Sequence, residues 1–233
     1  FGFSPLEVVP AILISQAMGG GTASIFHHRF RKVDFRTGSK DAKIVSLLAF
    51  TGVLATIAAS FIALHLSKEM VKGYIGILVL IMGVIVIRNK PVVFKWKKIF
   101  LISILSSFNK GISGGGFGPV VTAGQILSGQ QAKQAIGNTT MAEAPICIAA
   151  FFTYLFGHSI MKWESVSTLL ENTLNSEVLN GTLIGTLCLG AVLAAPFGAY
   201  TSRRIRTEKI RIPVGILAIG LGLATLVKTL WCF

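Results

Sequence analysis

Long apolar runs separated by short basic stretches dominate the chain. They fall at about 5–26, 44–65, 71–87, 135–157, 179–200 and 212–231. Most approach the roughly 20 residues an α-helix needs to cross a hydrocarbon core, so each predicts a transmembrane helix. The stretch 99–128 departs from this pattern. It is apolar at both ends but interrupted by Asn109-Lys110-Gly111-Ile112-Ser113-Gly114-Gly115-Gly116-Phe117-Gly118-Pro119. In a helix interior Gly costs about 1 kcal/mol and Pro about 3 kcal/mol. The interruption therefore predicts two half-helices, 99–110 and 119–127. Pro119 suits the first turn of the second, where its missing N–H does no harm.

Composition makes this an all-α integral membrane protein. Of 233 residues 52% are hydrophobic and 13% charged, too little polarity to cover a soluble domain of that length. The 25 glycines suit membrane helices whose backbones approach closely. A net charge of +13 would point to nucleic acid in a soluble protein. Here the cations lie in blocks at His27–Lys43, Arg88–Lys98 and Thr201–Arg211, which reads as loop topology and not as a nucleic-acid partner. All three blocks are expected on the cytoplasmic side. The linker 158–178, with Glu164, Glu171 and Glu177 against one Lys, is expected outside. A single crossing by 99–128 would put both 158–178 and 201–211 on the wrong sides. A re-entrant Gly-rich helical hairpin removes the conflict. A dozen helical residues reach about 18 Å, roughly to the midplane.

The chain is also duplicated. Gly76-Ile77-Leu78 with Gly83 recurs 139 residues later as Gly215-Ile216-Leu217 with Gly222, and Gly52-Val53-Leu54-Ala55 recurs loosely 138 residues later as Gly190-Ala191-Val192-Leu193. Two repeats of transmembrane helices follow, 1–98 and 99–233. Basic loops follow the first and third runs of one half but the second run of the other, so the repeats are expected to be inverted. A first-half counterpart of the Gly-rich hairpin is expected to precede Phe1.

Irregular backbone inside a membrane is tolerated only within protein or beside a cavity, and transporters use such half-helix ends as substrate sites. The N-terminal amides at Phe117, Gly118, Val120 and Val121 favour an anion. Lys110 adds a full charge where an unpaired ammonium is costly. Asn109, Lys110, Gly115, Gly116, Phe117 and Gly118 are thus the candidate substrate-binding residues at the break. Asn138, Thr139 and Thr140 offer amide and hydroxyl donors to complete an oxyanion's shell. Glu143 either carries a coupling proton or simply pairs with Lys110. Cys147, one turn beyond, and Gln16, in the aligned first-half span, line a candidate substrate path. The opposing account is that the glycines serve helix packing alone. His27 and His28 fit an interfacial role, and Trp96, Trp163 and Trp231 fit span-end anchors. Cys147, Cys188 and Cys232 are far apart, without CxxC or a Cys/His cluster, so no metal is expected. No P-loop is present, so neither a nucleotide nor another cofactor is expected.

Gly111-Ile112-Ser113-Gly114-Gly115-Gly116-Phe117-Gly118-Pro119, followed by Ala135-Ile136-Gly137-Asn138-Thr139-Thr140, resembles the sulfite exporter TauE/SafE family of membrane transporters. So does Ser4-Pro5 through His27-His28-Arg29 to Val33-Asp34. The resemblance implies secondary transport of a small sulfur-containing anion (sulfite, sulfoacetate or another sulfonate, thiosulfate), across the cytoplasmic, cell inner, membrane by a multi-pass carrier. Ile12-Leu13-Ile14 departs from the family pattern, which often has polar residues there. The expected partners are a small anion and the lipid bilayer. A homo-oligomer, proton or sodium coupling, and the direction of transport stay open. The chain is not expected to be an enzyme. The alternative is a non-transporting membrane assembly or scaffold protein.

Overall fold

The computed structural model describes residues 5–30, 33–88, 96–128, 130–161, 180–204 and positions 212, 216, 219–220, 222–224 and 226–227. The linker 158–178 and the basic block 201–211 lie largely outside the described residues, as do Trp163 and Trp231. Secondary structure among the described residues is helical: α1 (Pro5–Arg29), α2 (Lys40–Ala63), α3 (Lys68–Arg88), α4 (Trp96–Ser113), α5 (Phe117–Leu127), α6 (Ala132–Met161) and α7 (Gly181–Arg204). Described positions from 212 to 227 are helical too. Val8–Arg29, Lys40–Ala63, Lys133–Gly157 and Gly181–Thr201 are long and apolar enough to cross a membrane.

Side-chain pairings give the directions of the helices. Thr51 meets Ser103, Thr56 meets the Ser107 carbonyl and Ser60 meets the Gly111 carbonyl, so α2 and α4 run parallel. Ile102 lies beside Gly124 and Asn109 beside Gly116, so α5 folds back antiparallel along α4. Thr122 meets Thr139, and Glu143 approaches Gly118, so α6 turns again and runs antiparallel to α5. His27 lies beside Gly137, and Gln16 meets Cys147, which makes α1 antiparallel to α6. One end of the bundle therefore gathers His27-His28-Arg29, Lys40, Lys43, Lys97, Lys98 and Lys133. These residues come from four helices, α1, α2, α4 and α6, so this clustering of charge is a property of the fold.

The α2–α4 contact is built from small and hydroxylated residues. Thr51 Oγ1 and Ser103 Oγ are 2.8 Å apart, Ser103 Oγ donates to Leu48 O at 3.1 Å, and Thr56 Oγ1 donates to Ser107 O at 2.6 Å. In an apolar surrounding such pairs satisfy polar groups while small side chains let the backbones close up. Ser39 starts α2 as its N-cap, accepting from the Ala42 amide at 3.0 Å.

The helix break lies later and is shorter than expected. α4 runs on through Gly111, Ile112 and Ser113, past the predicted end at 110. Gly111 is there for packing: a Cβ would meet Thr56 O and Ala59 Cβ, both at 2.6 Å. The chain turns at Gly114 (φ +70°) and Gly116 (φ +80°), a backbone region that favours glycine. Ser113 Oγ accepts from the Gly115 amide at 3.2 Å, bracing the turn. α5 then starts at Phe117, with Pro119 in its first turn as predicted.

These two uses of glycine separate experimentally. Gly111→Ala is expected to cost about 1–3 kcal/mol by overpacking and to lower the melting temperature of the detergent-purified protein. Gly115→Ala, with no atom within 4 Å of its added Cβ and a negative φ, is expected to melt with the parent. Equal melting of the two variants would remove the packing role of Gly111.

Candidate functional site

Near the end of α4, the Lys110 side chain is fully buried. A lone ammonium there would be prohibitively desolvated, so its partners define the site. Lys110 Nζ donates to Glu143 Oε1 of α6 at 2.5 Å and to Gln16 Oε1 of α1. Cys147, one turn beyond Glu143, places Sγ 3.9 Å from the same Gln16 oxygen. Three helices distant in sequence converge on one ammonium.

The electrostatics of the broken helix fit this pair. Lys110 sits in the last turn of α4, where carbonyls make the helix end negative. The other carboxylate oxygen, Glu143 Oε2, lies against the first turn of α5, 3.7 Å from where a Cβ on Gly118 would be. There the free amides make the helix end positive. Each charge therefore faces a helix terminus of opposite sign. Tyr154 OH donates to Gly111 O at 2.7 Å and satisfies one of the carbonyls at the end of α4. Glu143 keeps 19% of its side chain exposed while Lys110 keeps none, so the carboxylate is the member of the pair open to exchange.

The predicted residues divide into those brought together here and those placed elsewhere. Lys110, Glu143, Gln16, Cys147 and Gly118 form one cluster. Asn109 Nδ2 donates to Gly115 O at 3.3 Å across the turn, and Gly116 lies against that amide. The Asn109 Oδ1 atom is buried without a protein partner. Phe117 contributes a first-turn amide, but its ring belongs to the apolar core with Ile44, Leu48, Ile99, Val121, Ala142 and Ile146. Thr139 is one turn before Glu143 on the same face and accepts from Gln125 Nε2 at 2.7 Å and Thr122 Oγ1 at 3.1 Å. Thr140 turns its hydroxyl onto the Ile136 carbonyl of its own helix, 2.5 Å away. Asn138 points to α2, donating from Nδ2 to Asp41 Oδ1 at 3.0 Å and to Gln130 Oε1 at 3.5 Å.

Sequence reasoning missed Tyr154, Gln125, Gln130 and Asp41. Gln125 carries a usable signal, an amide inside the otherwise apolar second half-helix. Asp41 carries another, a carboxylate within a block of cations. Tyr154 offers none, because a tyrosine late in an apolar run reads as an interface anchor.

Removing one member of a buried pair leaves an uncompensated charge, worth about 3–5 kcal/mol. Lys110→Met and Glu143→Leu are each expected to destabilise on that scale, and the double variant to recover most of the loss. A double-mutant cycle on chemical unfolding in detergent reads this; strictly additive losses would show that the two side chains are not coupled.

The family described as Sulfite exporter TauE/SafE matches residues 1–225. Among curated proteins, "Probable membrane transporter protein YtnM" of Bacillus subtilis (strain 168) is 22% identical over 241 residues, covering 98% of this chain and 72% of that protein. No solved structure matches significantly.

Proposed function

The chain belongs to the sulfite exporter TauE/SafE family of membrane transporters, and on that premise we propose that it carries a small sulfur-containing anion, sulfite, thiosulfate or a sulfonate, at the Lys110–Glu143 site. The observation that carries this reading is a fully buried lysine at a helix break, with a partly exposed carboxylate between it and a helix N-terminus. The carboxylate stands where an anion would be most stable. An oxyanion entering between Lys110 Nζ and the α5 amides would find the same two positive partners, with Gln16 and the Thr139 hydroxyl close by. Protonation of Glu143 removes the competing charge and releases Lys110, which couples one proton to the anion without any other ion.

The same proposal includes a hairpin that enters and leaves the membrane at the basic end, taken as cytoplasmic in a cell inner membrane. The antiparallel fold of α5 on α4 and the collection of basic helix ends support it. Inverted repeats, 1–98 and 99–233, are supported by matched crossings. Gly52 of α2 meets Ile146 of α6, while Ala191 of α7 meets Gly19 of α1. The third helices of the two halves also cross, antiparallel, with Gly76 and Leu80 against Leu226 and Gly222. Such pseudo-twofold packing lets one half rock against the other around a central site.

Uptake of labelled sulfite, thiosulfate, sulfoacetate and sulfate into proteoliposomes tests the reading. Saturable flux is expected for at least one sulfur anion, with Lys110→Ala reducing it by about tenfold or more, as expected for loss of a charge-assisted contact. Glu143→Gln is expected to keep anion exchange while losing the response to an imposed pH gradient. Undiminished flux in a folded Lys110→Ala variant would refute the site. Absence of saturable flux for every anion would favour a scaffold role.

A further inference from the structure

The polar residues of α6 do not stop at Glu143. Thr139, Glu143 and Cys147 recur at i, i+4 and i+8 on one face, Thr139 and Cys147 buried and Glu143 partly exposed. Toward the basic end, Thr139 is held by Gln125 and Thr122 of α5. The Gln130 backbone N–H donates to the Gln125 backbone carbonyl at 3.0 Å. Gln130 and Asp41 both accept from Asn138, about 7.5 Å along the helix axis from Glu143 at 1.5 Å per residue. Asp41 then lines an open cavity of about 650 Å³ at the basic end, together with His28, Arg29, Asp34 and Arg36. Two groups of hydrogen-bonded polar side chains, linked through the backbone at Gln125–Gln130 and through adjacent positions of α6, thus lie between a water-facing cavity and the ion pair.

Two atoms along this series have polar capacity that the protein does not use. Asn138 Oδ1 and Gln125 Oε1 are fully buried acceptors without a protein partner. Buried polar atoms are nearly always satisfied by protein or by water, and a polar gap of this kind is where water enters. Beyond Lys110 the surroundings change. Leu13, Ala150 and Tyr154 pack with Val9, Leu64 and Phe151 into an apolar cluster, which offers an anion no route.

We infer that the α5–α6 polar series is the access route from the basic end to the Lys110 site, and that the Asp41–Asn138–Gln130 bridge is its gate. The bridge ties the start of α2 to α6 and to the segment following α5, so breaking it loosens their contact at the basic end. Asp41 is anchored on its far side by the Asp34 amide, which donates to Oδ2 at 3.0 Å, leaving the Asn138 contacts as the ones that open. Arg29 and Arg36 in the cavity are balanced by Asp34 and Asp41, so the positive potential that concentrates small anions outside the gate comes from the surrounding Lys40, Lys43, Lys97, Lys98 and Lys133. This inference deepens the transporter reading and rests on it, but accessibility and flux are read separately.

Cys147 is a native reporter, because it lies at the site and is fully buried. With Cys188→Ser and Cys232→Ser it is the single thiol of the chain. The anionic reagent 2-sulfonatoethyl methanethiosulfonate would be applied to sealed vesicles of each orientation. Its sulfenyl sulfur forms a mixed disulfide with the Cys147 thiolate, and methanesulfinate leaves. Asn138→Ala and the milder Gln130→Ala are each expected to speed labelling from the basic end by roughly tenfold, the population shift that follows loss of such a bridge. Labelling from the other face should stay unchanged. Thr22→Ala, whose hydroxyl serves its own helix, should leave both rates at the parent value. Unchanged labelling in both gate variants, or an equal rise from both faces, would overturn the gate. Faster one-sided labelling in a protein without anion flux would keep the gate and sink the transporter reading.

Discussion

A buried ammonium has to be paid for, and the arrangement around Lys110 is best understood as that payment. Glu143 supplies the opposite charge, Gln16 a second acceptor, and the last turn of α4 a favourable helix pole. Each comes from a different helix, so the pair cannot form until α1, α4 and α6 are packed. The close approach of α2 to α4 at Gly111, the turn at Gly114 and Gly116, and the Tyr154 hydroxyl on the Gly111 carbonyl all hold the hairpin tip where that contact is made. Stability and function meet in one interaction. In the proposed function, the carboxylate that neutralises Lys110 is also the group an incoming anion would replace.

The two sides of the site differ in chemistry. Toward the basic end lie hydroxyls, amides and Asp41; on the other side lie leucine, alanine and aromatic side chains. A polar closure rearranges at small cost when water replaces its hydrogen bonds. An apolar closure opens only when packed helices separate. For the proposed carrier, access from the basic end would then be set by local hydrogen bonding and access from the opposite end by separation of packed helices.

Much of the helical layout was legible in the sequence because hydrophobic length and Gly/Pro placement are local properties. The runs 5–26, 44–65, 71–87, 135–157 and 179–200 each coincide with a helix, and a break does fall within the Gly-rich stretch, although it is shorter than the sequence suggested. The partnership of Lys110 and Glu143 was one of two roles the sequence left open for Glu143, and the structure forms it. What sequence could not supply was direction around the helix axis. Asn138 and Thr139 are adjacent in the chain, yet one faces α2 and the other α5. The end of α4 was misjudged for a similar reason. Gly111 reads as a helix breaker in one dimension, but in three it is the residue that admits Thr56 and Ala59.

Every part of this account requires that α4 and α5 enter and leave at one face, so that Lys110 lies inside the membrane. Side-specific labelling of single cysteines at Lys97, Gln131 and Ser67, all exposed, tests that directly with a membrane-impermeant maleimide on intact cells and inverted vesicles. Lys97→Cys and Gln131→Cys are predicted to react from the same, cytoplasmic face and Ser67→Cys from the opposite one. Reaction of Lys97→Cys and Gln131→Cys from opposite faces would mean that the α4–α5 segment crosses the membrane, and would contradict the account.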